Sequence, residues 1–343
     1  MNPRNIIYIL FKDMRILILG GTSFFGKEAA IRLHKAGNEV TVFSKRAPVE
    51  GMPLDIRQTR GDRTVEIDLS RMSVEPWDAI IDNICYTAED AQKAIRVFSG
   101  RTGLYLFTSS VSVYSVLEGS SSPFRENQTE LLPLKSPLKE KYAYGLGKYA
   151  AEREYLKAFI EKKFPAVIIR PPIVIGPNDP TLRAYSYWLR LAGGGPLFLP
   201  GFAFSSRYIF SKDLARVMEM LVYADEPYGK VYNIGDSQLL TLDDFVKISA
   251  RILHKEAGIL YPDYAWLKGN GFNFEASPFS TSGDFVPEIS KAEKELGWAS
   301  TPAAAWLEET INWYLFSYTG PAPANYALRK TELELAKKWI MKL

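Results

Sequence analysis

A glycine-rich turn between an apolar run and a helical pattern constrains this chain more than any other feature. The segment GGTSFFG spans residues 20–26, follows the apolar run ILIL and precedes the helical pattern KEAAIRLHKAG. Amide groups at a helix start are unpaired and carry partial positive charge, so a pyrophosphate binds there if the backbone can approach it closely. Glycine permits that approach, and the strand–turn–helix order therefore predicts a dinucleotide-binding turn.

Two details of this unit bear on the kind of dinucleotide. Ser23 stands where the usual fingerprint has its middle glycine, and its hydroxyl is a candidate phosphate ligand. The next strand, EVTVF, ends in Ser44, Lys45 and Arg46, whereas an acidic residue there would favour NAD over NADP. By charge alone the two cations favour NADP, although they could also be ordinary solvated loop charges. Asp62, further along, is a candidate partner for the adenine amino group.

Strand-like and helix-like segments alternate through the first half of the chain. The apolar segments RILIL, DAIIDNI, LYLFTSS and AVIIR are nearly unbroken, which is typical of parallel strands covered by helices on both faces. We therefore predict an α/β fold, a doubly wound parallel sheet of the Rossmann kind with a smaller C-terminal substrate-binding lobe. The predicted units are an N-terminal extension over 1–13, a dinucleotide-binding domain over 14–175, a lobe over 176–320 interleaved with sheet elements at about 206–250, and a C-terminal helix over 321–343.

Composition limits the cellular location and the classes of partner that we expect. The net charge of +3 does not by itself argue for a nucleic-acid surface. The single cysteine, Cys85, cannot form an intrachain disulfide, so we expect a cytoplasmic location. With only His34 and His254, and no clustered cysteines, we expect no metal site of the His or Cys type. We also expect no membrane association, since no run approaches the roughly 18 apolar residues that span a bilayer.

A second motif predicts acid–base chemistry. Tyr144 and Lys148 open a long helical pattern, and residues four apart lie on one helix face. A nearby ammonium favours the phenolate, which makes tyrosine a usable general base and acid. Upstream, the strand LYLFTSS ends in Ser109 and Ser110, where ligands of such folds bind.

Together these motifs resemble the extended short-chain dehydrogenase/reductases, also called the NAD-dependent epimerase/dehydratase family. The resemblance covers residues 14–314 and rests on GGTSFFG, GDR, SSVSVY, YGLGK, IIRPPIVIGP, IFSKDLA and SKAEKELGW. The segments WDAIIDNICY and GPNDPTLRAYSYW are most similar to an atypical branch. That branch includes bacterial proteins regarded as reductases or epimerases, and chloroplast stem-loop-binding proteins associated with RNA.

The resemblance implies a role for each matching residue. Tyr144 would be the acid/base, Lys148 its partner and a ligand of the nicotinamide ribose, and Ser110 the serine that contacts the substrate hydroxyl. Ser109, Arg183 and Arg207 are the expected substrate contacts. Family members often dimerise, so a homodimer is also expected. The expected cofactor contacts are Gly20, Gly21, Thr22, Ser23, Phe24, Phe25, Gly26, Ser44, Lys45, Arg46, Asp62, Arg63, Asn83, Tyr144, Lys148 and Pro171.

Departures from the family pattern restrict the reaction. The dehydratases carry Thr-Asp-Glu where this chain has Ser110, Val111 and Ser112, so the acidic pair needed for water elimination is missing. Ser206 stands where many epimerases have a diphosphate-binding arginine, and Arg207 follows one position later. With two cations after the second strand, the pattern favours a reductase that exchanges NADP, with NAD as the alternative cofactor.

These inferences lead to two expectations of function. The first is an NAD(P)-dependent oxidoreductase or epimerase that transfers hydride reversibly at a secondary alcohol or ketone of a small molecule, such as a nucleotide sugar or a related polar metabolite. The second is a cofactor-binding protein that binds RNA or has a regulatory role. Aromatic stretches such as RAYSYWLR and LYPDYAWLK could stack unpaired RNA bases. The same aromatic residues could instead form the core of the smaller lobe.

Overall fold

The computed structural model describes residues 13–201, 203–272, 279 and 283–342. The predicted N-terminal extension, apart from Asp13, lies outside the described residues. The strands are β1 (Arg15–Leu19), β2 (Glu39–Ser44), β3 (Arg57–Arg60), β4 (Trp77–Asp82), β5 (Thr102–Thr108), β6 (Ala166–Arg170), β7 (Ile173–Ile175), β8 (Leu197–Phe198), β9 (Ser205–Ser206), β10 (Tyr208–Phe210), β11 (Val231–Asn233), β12 (Leu240–Thr241) and β13 (Ile259–Leu260).

The helices include two long ones that carry the predicted motifs, α1 and α5. The α-helices are α1 (Phe24–Lys35), α2 (Glu66–Arg71), α3 (Ala88–Phe98), α4 (Gln128–Leu131), α5 (Ala143–Lys162), α6 (Arg183–Ala192), α7 (Ser211–Val222), α8 (Leu242–Ile252), α9 (Tyr264–Gly269), α10 (Ser290–Leu296), α11 (Ala303–Phe316) and α12 (Arg329–Ile340). Short 3-10 helices cover Val111–Val116, Glu140–Tyr142 and Ala324–Leu328.

Seven strands form one parallel sheet in the order β11-β6-β5-β4-β1-β2-β3. The chain order reverses between β1 and β4, which lie side by side. In an open parallel sheet, ligands bind in the crevice beyond the carboxyl ends of the strands at such a point. The prediction of a doubly wound sheet is therefore confirmed, and the sheet places the glycine turn after β1 at the crevice.

The strands are buried on both faces, which explains their unbroken apolar sequences. Along β1, Ile16 and Ile18 belong to a core shared with α1 and α7, whereas Leu17 and Leu19 belong to a second core shared with α3 and α5. Successive side chains of a strand point to opposite faces, so one apolar run supplies both cores.

A third core lies in the smaller, later part of the chain between α6, α8 and α11. Trp188 and Tyr187 of α6 are fully buried there beside Phe245 of α8, and Trp306 of α11 is buried too. Much of RAYSYWLR is thus packed core, which was one of the two alternatives for the aromatic stretches. None of the helices within the described ranges combines the length and apolar character that crossing a bilayer requires.

The last helix, α12, is docked by a buried carboxylate. Glu332 accepts hydrogen bonds from Arg190 of α6 at 3.1 Å and from Arg329 at 2.6 Å. Leu335 and Ala336 pack in a small core with Phe198. Arg190 is therefore fixed inside the lobe, and it shares no ligand-facing surface with Arg183 at the other end of α6.

Candidate functional site

The glycine turn is tight because none of its three glycines has room for a side chain. Gly20 has φ +83°, and its N–H donates to the Phe43 carbonyl at 2.9 Å. A Cβ on Gly26 would stand 2.1 Å from the Gly20 carbonyl oxygen, and one on Gly21 would stand 2.6 Å from Val42. Such distances are far below van der Waals contact, so α1 and β1 can approach this closely only with glycine at these positions.

The start of α1 is open to an anion. The helix begins at Phe24, and its N-cap residue Ser23 is exposed and caps no backbone N–H with its side chain. No acidic residue lies in the first turn. The neighbouring Thr22 hydroxyl instead donates to Ser44 Oγ at 3.0 Å, which ties the turn to the end of β2. The unpaired amide groups and the Ser23 hydroxyl are thus available to a phosphate.

The end of β2 carries the two predicted cations together with an acidic partner. Lys45 Nζ lies 2.8 Å from Asp62 Oδ2, and Thr64 donates to the same carboxylate through its N–H and its hydroxyl. The ion pair with Lys45 and the bonds from Thr64 lower the pKa of Asp62 to about 2. Arg46 is exposed beside them. The adenine contact expected of Asp62 stays a prediction, and its carboxylate is paired with Lys45 in the structure.

Arg63 lies away from the cleft. Its side chain is buried, and its guanidinium donates to Asp82 Oδ2 at 2.5 Å and to the Asp90 carbonyl at 2.8 Å. These bonds join the end of β4 to the start of α3. Because two buried aspartates hold the guanidinium, it stabilises the packing of these elements. Its position therefore does not support the cofactor contact predicted for Arg63.

A cleft of about 620 Å³ opens beyond the carboxyl ends of the central strands. It gathers residues from the glycine turn, the ends of β4, β5 and β6, the start of α5 and the start of α6. Nine of the residues predicted from the sequence line it: Phe24, Phe25, Asn83, Ser109, Ser110, Tyr144, Lys148, Pro171 and Arg183.

Lys148 lies at the bottom of this cleft, with its ammonium held by the backbone. Its Nζ donates to the Cys85 carbonyl at 2.7 Å and to the Thr108 carbonyl at 2.8 Å, and it lies 4.7 Å from the centre of the Tyr86 ring. Burial lowers its pKa to about 8. An ammonium has three N–H groups, so one remains for a ligand.

Tyr144 lies one helical turn before Lys148 on the same face of α5. Its ring is half exposed, 6.0 Å from Lys148 Nζ and 6.4 Å from the Tyr86 ring. Its surroundings raise the pKa of the Tyr144 hydroxyl by desolvation, whereas a hydrogen bond with Ser110 and the charge of Arg183 lower it. The phenol is thus protonated at neutral pH, and the neighbours that favour its ionised form are in place.

Polar atoms without partners line the floor beside these groups. Ser109 Oγ and Asn83 Nδ2 are both buried, and neither has a hydrogen-bond partner among the described residues. The other amide atom, Asn83 Oδ1, accepts from the Thr108 hydroxyl at 2.8 Å. Ser110 Oγ accepts from the Ser112 N–H at 3.1 Å. Buried polar atoms are costly when unpaired, so Ser109 and Asn83 are expected to bind a ligand.

Of the two predicted substrate arginines, one reaches the cleft. Arg183 lines it, whereas Arg207 lies outside and donates to the carbonyl groups of Pro287 and Asp236. Tyr86, whose ring lies against Lys148 and faces Tyr144, was not predicted from the sequence. Its position in the loop after β4 is the available signal, because loops at the carboxyl ends of parallel strands face the crevice.

Comparison with known proteins gives matches to a family of epimerases and dehydratases, to a reductase and to a stem-loop binding protein. The model of the family described as "NAD dependent epimerase/dehydratase family" matches residues 16–235. The chloroplast stem-loop binding protein of 41 kDa b from Arabidopsis thaliana is 24% identical over 315 residues, covering 86% of this chain and 78% of that protein. The 2'-dehydrokanamycin reductase from Streptomyces kanamyceticus is 27% identical over 186 residues, covering 53% of this chain and 50% of that enzyme.

A solved structure gives the same fold. The UDP-glucose 4-epimerase from Thermotoga maritima, solved with UDP-glucose, superposes with a TM-score of 0.70 at 18% identity. The match covers 88% of this chain and 99% of that enzyme. At this level of identity the likeness establishes the architecture of the sheet and its crevice.

Proposed function

This chain belongs to the NAD dependent epimerase/dehydratase family, and on that basis we propose that it transfers hydride reversibly at a secondary alcohol or ketone of a small polar molecule. The observation that carries the proposal is the position of Ser110, Tyr144 and Lys148 in one cleft. This cleft lies beyond the carboxyl ends of the central strands, where the glycine turn follows β1. An acid–base pair and a pyrophosphate-binding turn at the same crevice are the two parts that this chemistry needs.

The residues of the cleft fit a nicotinamide dinucleotide. Its pyrophosphate would lie against the start of α1, where Ser23 and the amide groups have no competing acidic residue. The remaining N–H of Lys148 would hold the ribose next to the nicotinamide, and the unpaired Asn83 Nδ2 and Ser109 Oγ lie where further polar groups of the ligands would be. When bound, the nicotinamide ring supplies the site that accepts or donates the hydride.

The chain's own residues move and hold the proton. Tyr144 takes the proton of the substrate hydroxyl during oxidation and returns it during reduction, while the Ser110 hydroxyl holds the same oxygen by a hydrogen bond. Lys148 is charged below about pH 8, and its ammonium lies 6.0 Å from the centre of the Tyr144 ring. A positive charge in the same cleft favours the phenolate form of Tyr144 over the phenol. The Tyr86 ring lies beside both members of this pair, 4.7 Å from Lys148 Nζ and 6.4 Å from the Tyr144 ring.

For the cofactor we propose NADP in preference to NAD. Arg46 is exposed at the end of β2, where the 2'-phosphate would lie, and Lys45 is next to it. Asp62 now holds Lys45, so a 2'-phosphate would compete with that carboxylate for the same ammonium. Arg46 is therefore the cation most available for the phosphate.

For the substrate we propose a nucleotide sugar or a related polar metabolite, reduced or epimerised without loss of water. The fold neighbour from Thermotoga maritima was solved with UDP-glucose, which supports this class. Val111 and Ser112 stand where the resemblance places the two dehydratase acids, and Val111 is buried. Without a carboxylate there, no group at these positions can remove the proton that elimination requires.

Replacement of the Tyr144 hydroxyl tests the reaction. Tyr144→Phe should lower turnover at least a hundredfold, since general acid–base catalysis contributes about that much or more, while cofactor affinity changes little. Tyr149→Phe is the matched control on the same helix, because its hydroxyl makes only a long 3.5 Å bond to Thr129. Full turnover by Tyr144→Phe would overturn the proposal.

Binding of RNA is the second candidate function, and the similarity to the stem-loop binding protein favours it. Most of the aromatic residues that could stack bases are buried, such as Trp188 and Tyr208, but Tyr261 and Tyr264 are exposed. Affinity for a stem-loop RNA that falls steeply as the salt concentration rises would support this function, because phosphate contacts release counterions.

A homodimer and a cytoplasmic location stay predictions. Size-exclusion chromatography tests the first, and cell fractionation tests the second.

A further inference from the structure

The ammonium of Lys148 is a buried positive charge that no neighbouring carboxylate neutralises. Lys148 is buried, and the ion pairs of the described residues do not include it, so no carboxylate among those residues pairs with its Nζ. Its two hydrogen bonds to carbonyl groups compensate the charge in part. A buried charge is costly unless its surroundings compensate it, so the other groups that face the ammonium decide how readily it stays charged.

The ionisable neighbours of this ammonium are paired with one another or uncharged. The groups that act on it come from the loop after β3, from β4 and the loop after it, and from α5: Arg63, Asp82, Cys85 and Glu152. The first two are paired with each other at 2.5 Å, and Glu152 is paired with Arg170 at 2.7 Å. Burial raises the pKa of the Cys85 thiol to about 12, so the thiol is uncharged at neutral pH.

Aromatic rings surround the ammonium in place of a counter-ion. Lys148 Nζ lies 4.7 Å from the centre of the Tyr86 ring, 5.0 Å from that of Phe107 and 6.0 Å from that of Tyr144. The face of an aromatic ring carries partial negative charge and attracts a cation at such distances, most strongly where water is excluded. Tyr86 has the nearest ring of the three.

The backbone fixes the position of the Tyr86 ring. The Tyr86 N–H donates to Asp90 Oδ2 at 3.0 Å, which ties the loop after β4 to the start of α3. A Cβ on Gly147 would stand 2.2 Å from the Tyr86 carbonyl oxygen, so only glycine lets this loop press against α5 next to Lys148. The side chain itself is half exposed and lines the cleft. It can therefore be replaced without opening the core.

We propose that Tyr86 is a positioning residue, whose ring face stabilises the charged form of Lys148 and holds the ammonium in the cleft. This inference rests on the proposed function, in which that ammonium favours the phenolate of Tyr144 and holds the cofactor ribose. The ring performs this role and the Tyr86 hydroxyl has no part in it, so phenylalanine serves equally well. Loss of the ring makes Lys148 give up its proton at lower pH.

Urea unfolding of the cofactor-free protein at pH 6 and at pH 9.5 tests the assignment. In the folded state Lys148 is charged at the lower pH and largely neutral at the higher one. Tyr86→Leu should therefore raise the unfolding equilibrium constant about threefold to thirtyfold more at pH 6 than at pH 9.5, through loss of the cation–π attraction. Tyr86→Phe should match the wild type. Tyr228→Leu, at a partly exposed tyrosine outside the cleft, is the matched control and should show no such difference between the two pH values.

The same substitutions in a Lys148→Met background separate the ring's effect on the charge from its packing. Without the ammonium, Tyr86→Leu should have the same effect at both pH values, because lost packing does not titrate. Three results would overturn the assignment: an equal effect of Tyr86→Leu at both pH values in the wild-type background, a pH-dependent effect that persists with Lys148→Met, or a Tyr86→Phe variant that behaves like Tyr86→Leu.

Failure of this inference is separable from failure of the proposed function. Unfolding of the cofactor-free protein involves neither cofactor nor turnover, whereas cofactor affinity and the Tyr144→Phe variant report the hydride-transfer site.

Discussion

The buried ammonium of Lys148 should make the free energy of unfolding depend on pH, and the substitution Lys148→Met should remove that contribution. Lys148 is 2% exposed, and its Nζ donates to the Cys85 and Thr108 carbonyls. Lys148→Met keeps the length and the apolar stem of the side chain but removes the charge. It also leaves two buried carbonyl groups without their donor.

The magnitude follows from the pKa. Burial lowers the pKa of Lys148 from 10.5 to about 8, and one pKa unit corresponds to about 1.36 kcal/mol, so the folded state holds this ammonium at a cost of about 3 kcal/mol. The unfolded chain binds more protons between pH 8 and 10.5, so the free energy of unfolding rises with pH in that window. From pH 7 to pH 9.5 the contribution of Lys148 should rise by about 2 kcal/mol.

The assay is urea unfolding of cofactor-free wild type, Lys148→Met and Lys157→Met at pH 7 and at pH 9.5. The wild type should gain about 2 kcal/mol relative to Lys148→Met between the two pH values, because other titrating groups are common to both proteins. Lys157 is exposed on the same helix and serves as the matched control, whose difference from wild type should stay constant. Equal pH dependence of wild type and Lys148→Met would refute the reasoning.

Two further substitutions test the cofactor selectivity and the buried ion pair that supports the site. Asp62→Asn frees Lys45 for a 2'-phosphate, so affinity for NADPH should rise about threefold to tenfold relative to NADH, measured by fluorescence titration. Glu152→Gln removes the charge opposite Arg170, whose guanidinium meets Glu152 in two bonds of 2.9 and 2.7 Å, and should lower the free energy of unfolding by about 3 kcal/mol or more, measured by urea unfolding.

Each of these substitutions has a control and a contradicting result. Asp55→Asn, at an exposed carboxylate in the loop before β3, should leave the NADPH to NADH ratio unchanged; an unchanged ratio in Asp62→Asn would disprove the competition for Lys45. Glu66→Gln breaks an exposed pair with Arg96 and should cost at most about 1 kcal/mol. A loss of that small size in Glu152→Gln would contradict the buried pair.

The sequence was sufficient for the sheet, for the glycine turn after β1 and for the common helix face of Tyr144 and Lys148. These depend on local spacing: the apolar runs dictate buried parallel strands, and Tyr144 and Lys148 share a face because a helix repeats every 3.6 residues. The small residues of the turn follow from the contact between α1 and β1. Such features need no knowledge of distant partners.

Partners of charged residues could not be predicted in the same way. Arg63 was expected at the cofactor, but it meets Asp82 in the core, 19 positions away along the chain. Asp62 was expected at the adenine, and its pairing with Lys45 was not predicted. Arg207 is held by carbonyl groups from two separate loops. These pairings depend on how distant segments pack, which local spacing does not encode.

Fluorescence titration with NADPH and with NADH, after removal and assay of any nucleotide that co-purifies, tests the central claim most directly. Wild-type protein should bind a nicotinamide dinucleotide at the turn and prefer NADPH. Gly26→Ala should abolish or greatly weaken binding because its Cβ would stand 2.1 Å from a backbone oxygen, whereas Gly269→Ala, which meets nothing within 4 Å, should bind normally. Absence of binding to either nucleotide by wild-type protein, with none co-purified, would contradict the account.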